Sequence, residues 1–191
     1  MNEELSFAVK ELFESKNILK KVVMAEMNTT DNVLDQIFEI YQEIVELVDS
    51  LGPFTNGDVQ DLLDKELKQY SQKPFFPVLA GLFVNALVNK LFQTKDEISL
   101  DFNELCYEVI ETAQTVADAQ GESENKEEIG FSLDYIGYLM PDNKLLRING
   151  PVGDYCGALM GNNSILDLTG LHGKNFGYEK SPSAEVCFKE G

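Results

Sequence analysis

The sequence predicts an α+β protein, in which an N-terminal multi-helix domain is followed by a short β-helix of about three 20-residue coils. Three observations predict this fold. Apolar residues recur at helical spacing through residues 1–119, which is typical of amphipathic helices. Residues 130–188 repeat themselves every 20 residues, a period typical of stacked units. Between these parts, residues 120–128 contain no large apolar side chain and indicate a solvated acidic linker.

Five helices are predicted in the first part. They are residues 3–26, residues 31–51, a helix capped by Thr55 or Asn56, residues 75–92, and residues 101 to about 119. The fourth segment is apolar almost all round, which favours a central helix, and its Gly81 would let a neighbouring helix approach closely. The fifth begins with the spacing of a capping box, in which Asp101 is the cap. Short connections between such helices favour antiparallel packing into a bundle.

Each 20-residue unit of the second part holds one segment that alternates as a strand does. These predicted strands are residues 145–148, 165–168 and 185–188. A single strand cannot pair with itself, so stacked units would place each strand beside its copy, roughly 4.8 Å away. Glycines 20 residues apart would allow turns of positive φ or close contact between units. They are Gly130, Gly137, Gly150, Gly153, Gly157, Gly170, Gly173 and Gly177.

The composition changes abruptly where the repeat begins. Of the 14 glycines, 10 lie from Gly130 onward, which favours turns and close backbone contacts there. We therefore predict a helical domain at 1–119, an acidic linker at 120–128 and a repeat domain at 129–191.

Residues 146–165, with glycines at 150, 153 and 157, resemble one unit of a known repeat family. This is the G-x-x-G-x-x-x-G β-helix at the C-terminus of the glutamate synthase large subunit, which also occurs in formylmethanofuran dehydrogenase as part of one of its subunits. The resemblance covers about 60 residues and implies a right-handed β-helix that acts as a scaffold and holds no reacting residue. This chain has fewer coils than those enzymes, and residues 1–120 resemble no family that we recognise.

The chain is strongly acidic, with 33 Asp and Glu against 15 Lys and Arg and a net charge of −18. Such a field repels phosphate backbones, so we expect no nucleic-acid partner. We also expect no membrane partner, because no apolar run reaches the ~18 to 20 residues of a membrane span. The nearest run, 75–92, is interrupted by Asn85, Asn89 and Lys90.

Three cysteines give neither a disulfide framework nor the spacing of a zinc site, which fits reduced thiols. Residues 1–4 are acidic and lack a signal-peptide pattern, so we expect a cytoplasmic protein. Cys106 and Cys156 fall on apolar faces and are interpreted as core residues, whereas Cys187 falls in an outward column and is expected to be exposed.

His172 is the only histidine, and it lacks the second ligand or catalytic partner that a metal site or a triad needs. We interpret it as a turn residue. The glycine-rich segments 150–157 and 170–177 lack both phosphate-loop signatures, and the repeat already accounts for their glycines. We therefore predict no catalytic residue, no cofactor and no metal, although an enzyme is not excluded.

Polar residues also recur in the repeat. Asp134 and Asp154 would stack one unit apart, with Lys174 next, either as a solvated edge or as a cation site. Asn143 and Asn163 would form a ladder of amide hydrogen bonds at a turn.

The last unit carries the functional prediction. A terminal unit exposes unpaired backbone groups and an apolar cross-section, and such ends normally need a cap. Glu185 and Lys189 give a partial cap. We therefore expect a non-enzymatic scaffold or interaction protein, in which Phe176, Val186 and Phe188 pack on a second copy or on another protein.

Two alternatives remain open. The resemblance alone implies an accessory subunit of an oxidoreductase complex. An apolar pocket among the helices, near Phe75, Phe76 and Phe83, would instead indicate a small-molecule binding protein.

Overall fold

The computed structural model describes residues 2–27, 33–105 and 132–189 of the chain. In these ranges, five α-helices precede a sheet of four strands. The helices are α1 (Glu3–Glu14), α2 (Lys16–Met27), α3 (Val33–Asp49), α4 (Asn56–Lys65) and α5 (Phe76–Leu91), with a 3-10 turn at Leu67–Tyr70. The strands are β1 (Glu97–Asp101), β2 (Leu145–Asn149), β3 (Ile165–Thr169) and β4 (Glu185–Lys189).

Two helix boundaries follow from the backbone conformation of Ser15 and the capping side chain of Thr55. The predicted helix at 3–26 is instead two helices, because Ser15 has an extended backbone with ψ 104. Thr55, rather than Asn56, caps α4, and its side chain and that of Asp58 form a reciprocal capping box.

The central helix is α5, as its apolar composition predicts. It packs on α3, α4 and α1, and it buries residues on every side, including Gly81 and Asn85. The neighbour that approaches Gly81 closely is the backbone of Asp134 in the repeat, and not another helix.

The four strands form one all-parallel sheet in the order β1-β2-β3-β4. Its register places Leu146 opposite Leu166 and Leu166 opposite Val186, so the predicted 20-residue spacing is the spacing of the strands. The alternate side chains of β2 and β3, such as Ile148 and Leu168, point into the core.

The predicted right-handed β-helix of about three coils is wrong. The sheet is open, and its four strands of five residues each are too few and too short to close three coils. The physical reason lies between the strands, where residues of left-handed φ recur, such as Leu139 at 51° and Leu159 at 54°. This conformation belongs to turns and cannot continue an extended strand. The α+β class is correct, with helices first and a parallel sheet after them.

Strand β1 is absent from the prediction. Its Ile98 and Leu100 are buried and pair with β2 across 48 positions of sequence. The predicted capping residue Asp101 ends this strand, and its carboxylate accepts a hydrogen bond from the Asn103 amide at 2.8 Å. Most of the predicted fifth helix lies outside the described residues.

One apolar core runs through the helices and the sheet, from Leu5 in α1 to Leu168 in β3. Gly130, Cys106 and the predicted linker 120–128 lie outside the described residues, and the predicted domain boundaries stay predictions. Within the described ranges, no helix is both long and apolar enough to cross a bilayer.

Candidate interaction surface at the end of the sheet

Equivalent glycines occupy equivalent turns in successive units. Gly137, Gly157 and Gly177 have φ of 76°, 69° and 65°, a region that disfavours other residues. A Cβ on Gly137 would lie 3.5 Å from the Cα of Gly157, which is an ordinary van der Waals distance, so φ and not space is what favours glycine there.

The glycines after the strands are still more crowded. A Cβ on Gly170 would lie 2.6 Å from the carbonyl carbon of Gly150, and one on Gly173 would lie 2.6 Å from that of Gly153. A Cβ on Gly153 would overlap the carboxylate of Asp134. Side chains at these positions would push adjacent units apart.

The aspartates of the repeat are engaged by the backbone. The carboxylate of Asp134 accepts a hydrogen bond from the Asp154 amide at 2.8 Å, and that of Asp154 accepts one from the Lys174 amide at 2.7 Å. Each carboxylate therefore binds the next unit. Among the described residues, no group of three or more metal-ligating side chains could hold a metal ion.

The predicted asparagine ladder is confirmed. The side-chain amide of Asn163 donates a hydrogen bond to that of Asn143 at 3.2 Å. Both residues have left-handed φ, which asparagine tolerates better than most residues.

The two described thiols lie in different surroundings. Cys156 is fully buried, and burial raises the pKa of its thiol, so it stays protonated in the core. Cys187, expected to be exposed, is half-buried on β4.

Helix α4 covers the outer edge of β1. The side-chain amide of Gln60 accepts from the Asp101 amide at 2.9 Å and donates to the Asp101 carbonyl at 2.8 Å. The side chain of Asn56 donates to the Ser99 carbonyl at 3.0 Å. Three outward backbone groups of β1, the carbonyl of Ser99 and the amide and carbonyl of Asp101, therefore have side-chain partners within the chain.

The opposite edge, at β4, has no such cover among the described residues. Val186 and Phe188 continue the buried columns of β2 and β3, but Phe188 is 39 % exposed. In the prediction, Phe176, Val186 and Phe188 form the interaction surface, and the structure brings all three to this end of the sheet.

Aromatic rings gather beside this edge. The ring of His172 stacks on Phe176, with centroids 4.3 Å apart and planes 7° apart, and it meets Phe188 edge to face at 5.0 Å. Leu171 and Tyr178 are 54 % and 42 % exposed. We call the five side chains Leu171, His172, Phe176, Tyr178 and Phe188 the end face. The sequence analysis does not predict that His172 belongs to the end face. Its contact with Phe188 joins residues 16 positions apart and leaves no local sequence signal.

The small-molecule alternative predicts an apolar pocket among the helices near three phenylalanines. Phe76 and Phe83 are fully buried in the core, and Phe75 is partly buried against it. A cleft of about 200 Å³ lies among the helices beside Val78, and one of about 530 Å³ lies near Gly150 and Leu171. The small-molecule alternative therefore stays a prediction.

No family model matches the chain, and no curated protein or solved structure shows significant similarity to it. The resemblance to the glutamate synthase repeat therefore stays a prediction. What distinguishes the described part of the molecule is a parallel sheet with one covered edge and one open edge.

Proposed function

We propose that the protein is a non-enzymatic interaction module that assembles by docking its end face and β4 edge on another protein chain. The observation that supports the proposal is the difference between the two sheet edges. Gln60 and Asn56 bind three outward backbone groups of β1, whereas no described residue does the same for β4. An open strand edge is a ready template for pairing with another chain.

The end face adds an apolar contribution. Leu171, Tyr178 and Phe188 are each more than a third exposed and lie in the same unit. Burying a large apolar side chain contributes about 1.5–3 kcal/mol, so a partner that covers these residues would gain several kcal/mol before the cost of association. An exposed apolar patch is typical of a protein interaction site.

The arrangement of His172 supports a binding role rather than a chemical one. Its ring packs against two phenylalanines, and its Nδ1 lies 2.9 Å from the Gly173 carbonyl oxygen. Such a ring contributes stacking area to an interface. The cytoplasmic location belongs to the same proposal.

Native mass spectrometry of the protein purified from its own cell extract tests the proposal. We expect wild type to carry a bound protein chain and Phe188→Asp to lose it, because the aspartate would be buried at the interface. Phe7→Asp is the matched control, since Phe7 is 66 % exposed on α1, far from β4 in sequence.

Circular dichroism of both variants checks that each keeps the fold. A wild type found only as a monomer, or a complex that survives Phe188→Asp, would overturn the proposed function. A catalytic protein among the bound chains would indicate the accessory role in an enzyme complex.

A further inference from the structure

We infer that the chain docked on β4 is a second copy of the same protein, paired antiparallel to β4 about a two-fold axis through Cys187. This inference rests on the proposed function and names its partner. Three observations lead to it: which backbone groups of β4 face outward, the order of charges along the strand, and the closed edge of β1.

The backbone groups of β4 face alternately towards β3 and away from it. The Glu185 amide donates to the Ser164 carbonyl at 2.9 Å, and the Lys189 carbonyl accepts from the Gly170 amide at 3.2 Å. The backbone amides and carbonyls of residues 185, 187 and 189 therefore face β3. Because the direction alternates along a strand, the amides and carbonyls of Val186 and Phe188 face outward.

This alternation restricts the ways in which two β4 strands can pair. In an antiparallel ladder, residues with outward backbone groups lie opposite one another and exchange both hydrogen bonds. A two-fold axis within the strand can therefore pass through position 186, 187 or 188. Each choice gives a different set of facing side chains.

The charges along β4 select position 187. There Glu185 lies opposite Lys189 of the second copy, and Lys189 opposite Glu185, so both ends of the ladder carry an ion pair. An axis at position 186 would place Glu185 opposite Cys187 of the second copy, and an axis at position 188 would place Lys189 opposite Cys187. Neither arrangement pairs the two charges. Lys189 already lies 3.5 Å from Asp167, which holds its ammonium on the same face of the sheet as Glu185.

The same axis pairs the remaining side chains well. Val186 lies opposite Phe188 of the second copy on the core side of the sheet, and Cys187 lies opposite its own copy on the other side. Val186 and Phe188 then exchange two hydrogen bonds at each of two places. The rotation also turns the two end faces towards each other, so the exposed rings of both copies are covered together.

A head-to-tail arrangement is disfavoured by α4. It would need the β4 edge of one copy to pair with the β1 edge of the next. Gln60 and Asn56 occupy that edge with side-chain hydrogen bonds. Of the two edges of the described sheet, only the one at β4 is left for self-association, and pairing through one edge closes at a dimer.

Charge reversal tests the register. We expect Glu185→Lys and Lys189→Glu each to raise the dimer dissociation constant at least tenfold by sedimentation, because like charges then face each other at both ends. An equimolar mixture of the two variants should regain wild-type affinity as a heterodimer. The doubly reversed variant should regain it as a homodimer. Glu39→Lys and Lys10→Glu, on α3 and α1, are controls for net charge.

A thiol probe tests the axis. The facing Cys187 residues would form a non-hydrogen-bonded pair with Cα atoms about 4.5 Å apart, within the range that a disulfide spans. Diamide, which takes up the two electrons and two protons, should therefore link wild-type chains into a covalent dimer. Cys187→Ser should abolish the link, whereas Cys106→Ser should not.

The outcomes separate the two proposals. A wild type that binds another protein but remains a monomer by itself would overturn the second-copy inference and leave the proposed function standing. A dimer indifferent to both charge reversals, or one that diamide does not link through Cys187, would overturn the antiparallel register. A chain that remains a monomer and binds nothing from its extract would overturn both.

Discussion

Gln60 pairs with Asp101 as a neighbouring strand would, with one hydrogen bond accepted at 2.9 Å and one donated at 2.8 Å. This helical side chain thus takes the place of a further strand beside Asp101, while Asn56 binds the Ser99 carbonyl. The amide needs both its oxygen and its nitrogen for this arrangement.

Replacing Gln60 by methionine should therefore lower the free energy of unfolding by about 1–2 kcal/mol, because the two hydrogen bonds to Asp101 and one to the Asp64 carboxylate are lost at similar side-chain volume. Urea denaturation measures the change. Gln69→Met is the matched control, since that side chain is exposed and, among the described residues, hydrogen-bonds to nearby Glu66. Equal stability of the two variants would show that α4 does not hold the sheet edge.

Gly81 joins the central helix to the repeat. A Cβ at this position would lie 2.9 Å from the carbonyl carbon of Asp134, and still closer to the oxygen. Gly81→Ala should therefore destabilise the protein by about 2 kcal/mol, although alanine favours helices. Gly57→Ala is the control, because its Cβ would meet only the Thr55 hydroxyl oxygen at 3.6 Å. A stabilised Gly81→Ala variant in thermal unfolding would contradict the close packing.

The asparagine ladder separates backbone strain from hydrogen bonding. Asn163 has φ 54°, a conformation that costs alanine roughly 1–2 kcal/mol and glycine little. Asn163→Ala and Asn163→Gly both lose the bond to Asn143, so their difference in unfolding free energy reports the strain. We expect the alanine variant to be less stable by about 1 kcal/mol, and the reverse order would contradict the left-handed turn.

Two buried tyrosines predict how the free energy of unfolding changes at alkaline pH. Burial raises the pKa of Tyr41 and of Tyr138 from 10.0 to about 12. The folded state then holds these protons more tightly than the unfolded state does. Their contribution to stability is complete below pH 10 and is lost as the pH rises towards 12. Each group should contribute a slope of about 1.4 kcal/mol per pH unit in that window.

Tyr138→Phe should remove the contribution of one tyrosine, about 1.4 kcal/mol per pH unit, from this slope. At neutral pH it should cost little, because the buried Tyr138 hydroxyl has no hydrogen-bond partner among the described residues. Tyr41→Phe should cost about 1–2 kcal/mol at neutral pH, since the Tyr41 hydroxyl accepts hydrogen bonds from Asn85 and Asn89. Unfolding free energies measured from about pH 8 to 12 test both effects, and an unchanged alkaline slope in Tyr138→Phe would contradict the assignment.

Local patterns in the sequence predict much of this fold. The helices α3, α4 and α5 and the strands β2, β3 and β4 follow from the spacing of their apolar residues. The Asn143–Asn163 ladder follows from the repeat, because a fixed period places equivalent residues in contact.

The features that the sequence does not reveal depend on distant contacts. Strand β1 is five residues long, and its partner β2 lies 48 positions away in sequence. No local sequence pattern therefore predicts the pairing. The left-handed turns at Leu139 and Leu159 escape notice because only glycine and asparagine usually signal them. The prediction names Val186 and Phe188 at the surface, but the cover that Gln60 gives to the other edge follows only from the tertiary packing.

The 20-residue register makes the length of the molecule adjustable without changing either end. Each unit advances the open edge by one strand spacing, about 4.8 Å. Deleting residues 146–165 would bring the end face nearer to the helices by that distance while keeping the chemistry of β4. In a two-fold assembly the helical bodies would approach by twice as much, so the number of units acts as a ruler for their separation.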